Sequence, residues 1–410
     1  MLQRLRVRGF KSLFDVEVTL PQLAVLFGPN AGGKSNLIDA IQALSRLASS
    51  RTLDEALAAP IRGHPIEAFS FPPGGLVEQL AKPIATFSIE ADLKTGKDLY
   101  RYRVAVQVEP RSGSLTIADE YLAALTTAGV PQGRPSIERL DDELRIRRKS
   151  KPAHPRVELI GLNHTILSDP RLGGMEYRAV ERCRDELSGW RVYYLDPRVA
   201  MRQAKPPAAV KDIGVLGQDT APFLYHLRAE EPKRFDAVVR TLRSLIPSVE
   251  GLIVDLDERR GTLDLLVRQD SAEFSSRIVS EGTLRVLALC ASAVNPWGGG
   301  LLAFEEPENG VHPRRIELIA ELLVSLAVNQ GRQLVVTTHS PLFCNAMRNR
   351  AETYPEIGLF NVRQTDMGTV VIPFESQGPL FRDAEITKAL TAETEDGLFE
   401  SLMLRGLVDG

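Results

Sequence analysis

The chain is 410 residues long, with 50 Lys and Arg against 53 Asp and Glu and a formal net charge of −3. This length buries a substantial core and allows one large domain with an insertion or two ordinary domains; the near-neutral charge excludes a global basic field for nucleic acid or membrane, so any DNA contact has to be local. Arg4, Arg6, Arg8 and Lys11 interrupt the N-terminus, no apolar run has the length of a membrane span, and Cys183, Cys290 and Cys344 lack metal or redox spacing, so the expectation is a cytoplasmic protein without a membrane segment or disulfide framework.

Residues 1–27 alternate polar and apolar, as in Leu5-Arg6-Val7-Arg8 and Val16-Glu17-Val18-Thr19-Leu20, which predicts two half-exposed strands. The apolar run 23–27 reads as a buried strand. It feeds Gly28-Pro29-Asn30-Ala31-Gly32-Gly33-Lys34-Ser35, and residues 35–47 carry Leu37, Ile38, Ile41, Leu44 and Leu47 at helical spacing. Pro60, Pro65, Pro72 and Pro73 with Gly74-Gly75 mark an irregular connection, after which strand patterns at 85–93, 99–108, 115–125 and 144–147 predict an antiparallel meander.

From 149 to 250 recurring prolines break the chain into short helices with one strand at 190–195, and the absence of heptads excludes long coiled-coil arms. Residues 252–256 and 263–267 predict a hairpin, followed by a helix at 282–294, a strand at 301–304, a helix at 313–328 and a strand at 333–337. This βαβ rhythm implies a parallel sheet. The expected organisation is an α/β head made of residues 1–149 and 251–410, with 150–250 as a mainly helical insertion.

Three phrases carry chemistry. Residues 28–35 fit the phosphate-loop pattern G-x-x-x-x-G-K-[ST], in which backbone N–H groups cradle phosphates, the lysine reaches the β- and γ-phosphates and the hydroxyl meets Mg²⁺. The ATP-binding set is therefore Asn30, Gly32, Gly33, Lys34, Ser35 and Asn36. Strand 301–304 ends in Glu305-Glu306, two carboxylates at a sheet edge where α/β folds bind ligands. Glu305 is expected to hold Mg²⁺ together with Ser35, and Glu306 to act as general base on water. Ser280-Glu281-Gly282-Thr283 opens a helix whose free N–H groups favour anions, the plainer alternative being a serine cap. His339, at the end of the last predicted strand, is either a polar contact to the γ-phosphate or a structural histidine.

The order of these motifs, with Glu305-Glu306-Pro307-Glu308-Asn309-Gly310-Val311-His312-Pro313 and Thr337-Thr338-His339-Ser340, resembles the ABC-type AAA ATPases, relatives of the OLD proteins and of the structural-maintenance-of-chromosomes and RecF-type heads. The resemblance covers most of the chain and implies a P-loop NTPase of ABC-ATPase head type, with a mixed sheet core, an antiparallel β lobe and a helical insertion. It implies that Gly9-Phe10-Lys11-Ser12 matches the family's first-strand turn, which adds Lys11 and Ser12 to the ATP contacts. It also implies that Ser280, Gly282 and Thr283 form the signature that meets ATP bound to a partner subunit, that Asn309, Gly310 and His312 communicate across the dimer, and that His339 is the switch histidine. The chain departs from the pattern in three ways: Glu305 stands where most ABC enzymes have aspartate, the signature is not LSGGQ, and Gln79 is the only candidate for the Q-loop glutamine. The short tail, with Asp383, Glu385, Glu393 and Glu395 outside any βαβ frame, argues against a Toprim nuclease domain.

These expectations describe an ATPase that pairs head to head, as a homodimer or higher even oligomer, around ATP and Mg²⁺ and acts on DNA or a separately encoded effector in genome maintenance or phage defence. The alternative is a nucleotide-gated clamp that holds a nuclease or toxin with little turnover; a transporter ATPase subunit fits the signature poorly. The run Arg145-Ile146-Arg147-Arg148-Lys149-Ser150-Lys151 is the local basic cluster available for phosphates, unless it is a solvated loop.

Overall fold

The computed structural model describes residues 1–374. Strands Leu2–Phe10 and Leu13–Thr19, the two expected at the N-terminus, pair with each other antiparallel, and Leu2–Phe10 also pairs with Ala85–Thr95. From there Asp98–Glu109, Ser114–Leu125, Pro131–Leu140, Glu143–Ile146 and Arg156–Leu159 complete an eight-stranded sheet with antiparallel pairing throughout. Two of these strands exceed the sequence reading. Pro131, Gly133 and Pro135 spoil the alternation of residues 131–140, and a register shift in their pairing with Ser114–Leu125 accommodates them.

The second sheet has six strands in the order Arg191–Tyr193, Leu301–Glu305, Gln333–Thr338, Leu23–Phe27, Ile357–Thr365 and Gly368–Pro373. All neighbours are parallel except the last pair. A parallel strand is buried on both faces, which is why its sequence reads as an unbroken apolar run. In Leu23–Phe27 the side chains alternate between two cores. Ala24 and Leu26 face one that holds helix Lys34–Leu47 and the large sheet, whereas Leu23, Val25 and Phe27 face another built on helices Thr220–Glu230, Pro232–Leu245 and Glu281–Val294. Leu301 and Ala303 against Leu302 and Phe304 repeat the pattern.

Segment 150–250 contributes strand Arg156–Leu159 to the large sheet, helix Arg178–Ser188 to the first core and strand Arg191–Tyr193 to the parallel sheet, besides the two helices at 220–245. The hairpin Val249–Asp257 with Thr262–Gln269 gains a third strand, Ala272–Ser275. The helix expected at 313–328 is a 3₁₀ turn, Pro313–Arg315, then an α-helix, Ile316–Val324, and a π-turn, Ser325–Asn329. Asp383, Glu385, Glu393 and Glu395, and with them the question of a Toprim domain, lie outside the described residues. Among those described, no helix is long and apolar enough to cross a membrane.

Candidate active site

Register brings the motifs to one edge. Thr338 pairs with Phe27 and Glu305 with Thr337, so loop 28–35, Glu305-Glu306 and His339 all leave the sheet at the carboxyl ends of adjacent parallel strands. The loop closes onto helix Lys34–Leu47 through Gly33, whose φ is 103°; a Cβ there would lie 2.2 Å from Thr369 Oγ1, so only glycine serves. Gly32 is buried beside it and Asn30 is exposed at the mouth. The buried Lys34 ammonium donates to the carbonyls of Gly28 and Pro29, each at 2.7 Å, which lays the cation along the loop.

The Ser35 hydroxyl donates to Glu305 Oε1, uniting the two residues expected at the metal. Behind them stands a polar cluster centred on Asp39, four residues along the same helix and fully buried. Asp39 accepts from Lys11 Nζ at 2.5 Å, from Arg62 Nε and Nη2 at 3.2 and 3.0 Å, and from the Tyr194 hydroxyl at 2.6 Å. Arg62 also lies 5.5 Å from the centre of the Tyr194 ring and 3.4 Å from Glu305 Oε1, so it links the buried carboxylate to the half-buried one. Burial, and then the Asp39 carboxylate, raises the Tyr194 pKa. For Arg62 burial works against the charge, and Asp39 and Glu305 outweigh it to raise its pKa.

Lys11 and Ser12, named by the first-strand turn, both reach the helix that follows loop 28–35, Lys11 at Asp39 and Ser12 at Asn36. Ser12 Oγ accepts from Asn36 Nδ2 at 2.7 Å and lies 2.7 Å from Thr369 Oγ1. Beside them opens a cavity of about 500 Å³ lined by Lys11, Ser12, Phe14, Asn36 and Arg62 among others.

Glu306 holds a φ of 48°, a left-handed conformation that non-glycine residues rarely adopt and that concentrates at functional turns. Its N–H donates to Thr337 O at 3.0 Å, and its Oε1 lies 2.9 Å from His339 Nδ1. Asn309 Nδ2 donates to the other oxygen at 3.4 Å. Glu308 instead turns inward, accepts from the Thr338 hydroxyl, and has its pKa raised by burial.

Ser280 caps helix Glu281–Val294, accepting from Thr283 N at 3.2 Å with the two hydroxyls 2.8 Å apart. A Cβ on Gly282 would lie 2.4 Å from the Gly310 carbonyl, so a glycine is required for the signature turn to seat on the loop after Glu306. No hydrogen bond among the described residues joins 280–283 to loop 28–35. Gln79 is fully buried in helix Gly75–Ala81 with neither amide atom hydrogen-bonded, and it does not contact Ser35 or Glu305 in this way. The sequence reading missed Asp39, Arg62 and Thr369. Only Asp39 carries a signal, its i, i+4 relation to Ser35 on the helix.

A family model described as "AAA domain, putative AbiEii toxin, Type IV TA system" matches residues 23–345. No curated protein matches the chain. Among solved structures, an SMC head bound to the C-terminal winged-helix domain of ScpA is similar over 92% of this chain and 98% of its own, at 14% identity and a TM-score of 0.51. The Pyrococcus furiosus Smc head domain with an extended coiled coil, bound to the C-terminal domain of ScpA, is similar over 96% and 99%, at 12% identity and a TM-score of 0.50. At such identities the shared property is the fold of an ATPase head.

Proposed function

The chain belongs to this AAA-domain family, and on that premise we propose that it binds ATP with Mg²⁺ at loop 28–35 and hydrolyses it between two heads. The observation that carries the reading is the strand register, which sets Ser35 on Glu305 and Glu306 on His339 at a single sheet edge. Asn30, Gly32, Gly33 and Lys34 receive the phosphates, and Asn36, Lys11 and Ser12 border the cavity that takes the rest of the nucleotide. Glu306 takes the proton from the attacking water, and His339, bonded to the same carboxylate, orients it and approaches the γ-phosphate.

The residues present fit the ion. Mg²⁺ favours oxygen ligands and keeps several waters, and the Ser35 hydroxyl with the Glu305 carboxylate is such a sparse oxygen pair. Among the described residues no group of three or more His, Cys, Asp and Glu side chains forms a metal cluster, in keeping with an ion shared with phosphate oxygens. Bound there, the ion supplies charge neutralisation on the phosphates.

The signature Ser280, Gly282 and Thr283 then acts in trans, on ATP held by the partner of a homodimer or higher even oligomer, and Gly310 relays nucleotide state to it. The output we infer is action on DNA or on a separately encoded effector, in a cytoplasmic defence or genome-maintenance role. The family description, which names a toxin and a TA system, also supports the second reading: a clamp that sequesters or activates a nuclease or toxin and turns over slowly.

Steady-state ATP hydrolysis, measured across protein concentrations with and without linear double-stranded DNA, tests both. Specific activity that rises with concentration supports paired heads, and stimulation by DNA supports direct action on it. Negligible turnover with tight ATP binding supports the clamp, and absence of ATP binding removes both readings.

A further inference from the structure

The large antiparallel sheet carries a cavity of about 670 Å³ that shares no lining residue with the one beside loop 28–35. Tyr100 and Ala124, paired across adjacent strands, line it from the sheet. Arg134 and Ser136 rise from the next strand, and Arg147, Arg148 and Lys149 follow the strand after that. The start of helix Arg178–Ser188 closes the far side with Arg178 and Arg182.

Six cations thus face two acids, Asp98 and Glu176, and the acids leave most of that charge uncompensated. Asp98 pairs with Arg182, and Glu176 accepts from the Ser150 N–H at 3.3 Å and the Ser150 hydroxyl at 2.6 Å. Arg147 is held by Glu138 and by the Pro135 carbonyl at 2.8 Å, and its buried Nε has no acceptor. Arg134, Arg148, Lys149 and Arg178 have no side-chain hydrogen bond or ion pair among the described residues. Like charges gathered around one concavity repel, and the walls of low dielectric focus their field into it. The helix start adds to that field, since Tyr177 provides no side-chain cap there.

The basic run seen in the sequence is therefore not an open stripe. Arg145 pairs with Glu143 at 3.6 Å, while Arg147, Arg148 and Lys149 line one side of a concavity that opens to the surface. Its volume falls within the range of about 300–1,000 Å³ typical of small-ligand pockets, and it has a concave form that a duplex backbone running across the surface would not fill. Tyr100 and Tyr177 add aromatic surface. We propose that this cavity binds a phosphate monoester of nucleotide size, carried either by a free nucleotide or by the 5′ end of a nucleic-acid strand.

The full-length protein, its ATP site saturated with a non-hydrolysable ATP analogue and Mg²⁺, is titrated with GMP, with a 5′-phosphorylated single-stranded decanucleotide and with the same strand bearing a 5′-hydroxyl. Saturable binding of GMP identifies a free nucleotide as the source, and binding of the phosphorylated strand alone identifies a strand end. In either case the R148Q/R178Q double variant weakens affinity by about tenfold or more, the loss of a charged hydrogen bond, while basal ATP hydrolysis and thermal unfolding stay as in the parent. Arg134→Gln, on an exposed strand position, weakens it separately and decides the matter if the double variant fails to fold. Absence of saturable binding, equal affinity for the 5′-hydroxyl strand, or unchanged affinity in a folded variant overturns the proposal.

Discussion

The Ser35 hydroxyl donates to the Glu305 carboxylate across 270 residues of sequence, tying the first turn of the phosphate-loop helix to the end of a late strand. In the proposed role such a pair would offer a magnesium ion two adjacent oxygens and little else, so charge on Glu305 would matter more than its shape. Glu305→Gln keeps the hydrogen-bonding outline and removes the charge. The Mg²⁺ concentration for half-maximal ATP hydrolysis is expected to rise by about tenfold or more, the usual scale for perturbing a metal's surroundings. A magnesium titration of the purified variant measures this, and an unchanged midpoint would remove Glu305 from the metal site.

Glu306 is positioned by backbone and side chain together: a left-handed φ, an N–H on Thr337 and a carboxylate shared with His339 and Asn309. Glu306→Gln preserves the volume and removes the proposed base, so turnover should fall by about 10²–10⁴ while ATP binding persists. Light scattering of the variant with ATP is then expected to show a stable dimer. Turnover at the parental rate would mean that another group activates water.

Asp39 presents a different case, because its carboxylate is fully buried between Lys11 and Arg62. Asp39→Ala leaves two cations and the Tyr194 hydroxyl facing an empty site. Breaking a buried pair costs about 3–5 kcal/mol; since the Arg62 side chain is 46% exposed, water takes up part of the loss and the lower end applies. Urea unfolding reads this directly, and a loss below that range would show that the cluster reorganises around Lys11.

How much of this was legible beforehand depends on where each residue sits. Strands buried on both faces read as apolar runs, and the motifs at their ends, from Gly28 to Ser35 and from Glu305 to His339, were visible because parallel sheets place ligand chemistry there. Asp39 was hidden because a lone acid in an amphipathic helix reads as a solvent-facing residue. Arg62 lies in a proline-bounded connection without periodicity, so nothing in the sequence announces its reach to Glu305. Strand Pro131–Leu140 was concealed by its own prolines, and with it the wall of the basic cavity.

Glu120, bonded to none of these residues, gives the fold a pH dependence. It sits fully buried on strand Ser114–Leu125, accepting from the Tyr102 hydroxyl at 2.9 Å and from the N–H groups of Ile166 and Leu167 at 2.7 and 3.0 Å. Burial pushes its pKa up from 4.5 to about 7, against the pull of those donors. Between these values the native state holds a proton that the unfolded chain has released, so stability falls as pH rises through this window and levels off above it. The expected loss from pH 4.5 to pH 8 is up to about 3 kcal/mol. Glu120→Gln removes the titration and loses one acceptor, so the variant is less stable than the parent at pH 5 but shows a flatter profile. Urea unfolding of both proteins across this pH range tests the sign: a parent whose stability climbs steadily from pH 4.5 to 8, with the same slope in the variant, would mean that Glu120 enters the folded state ionised.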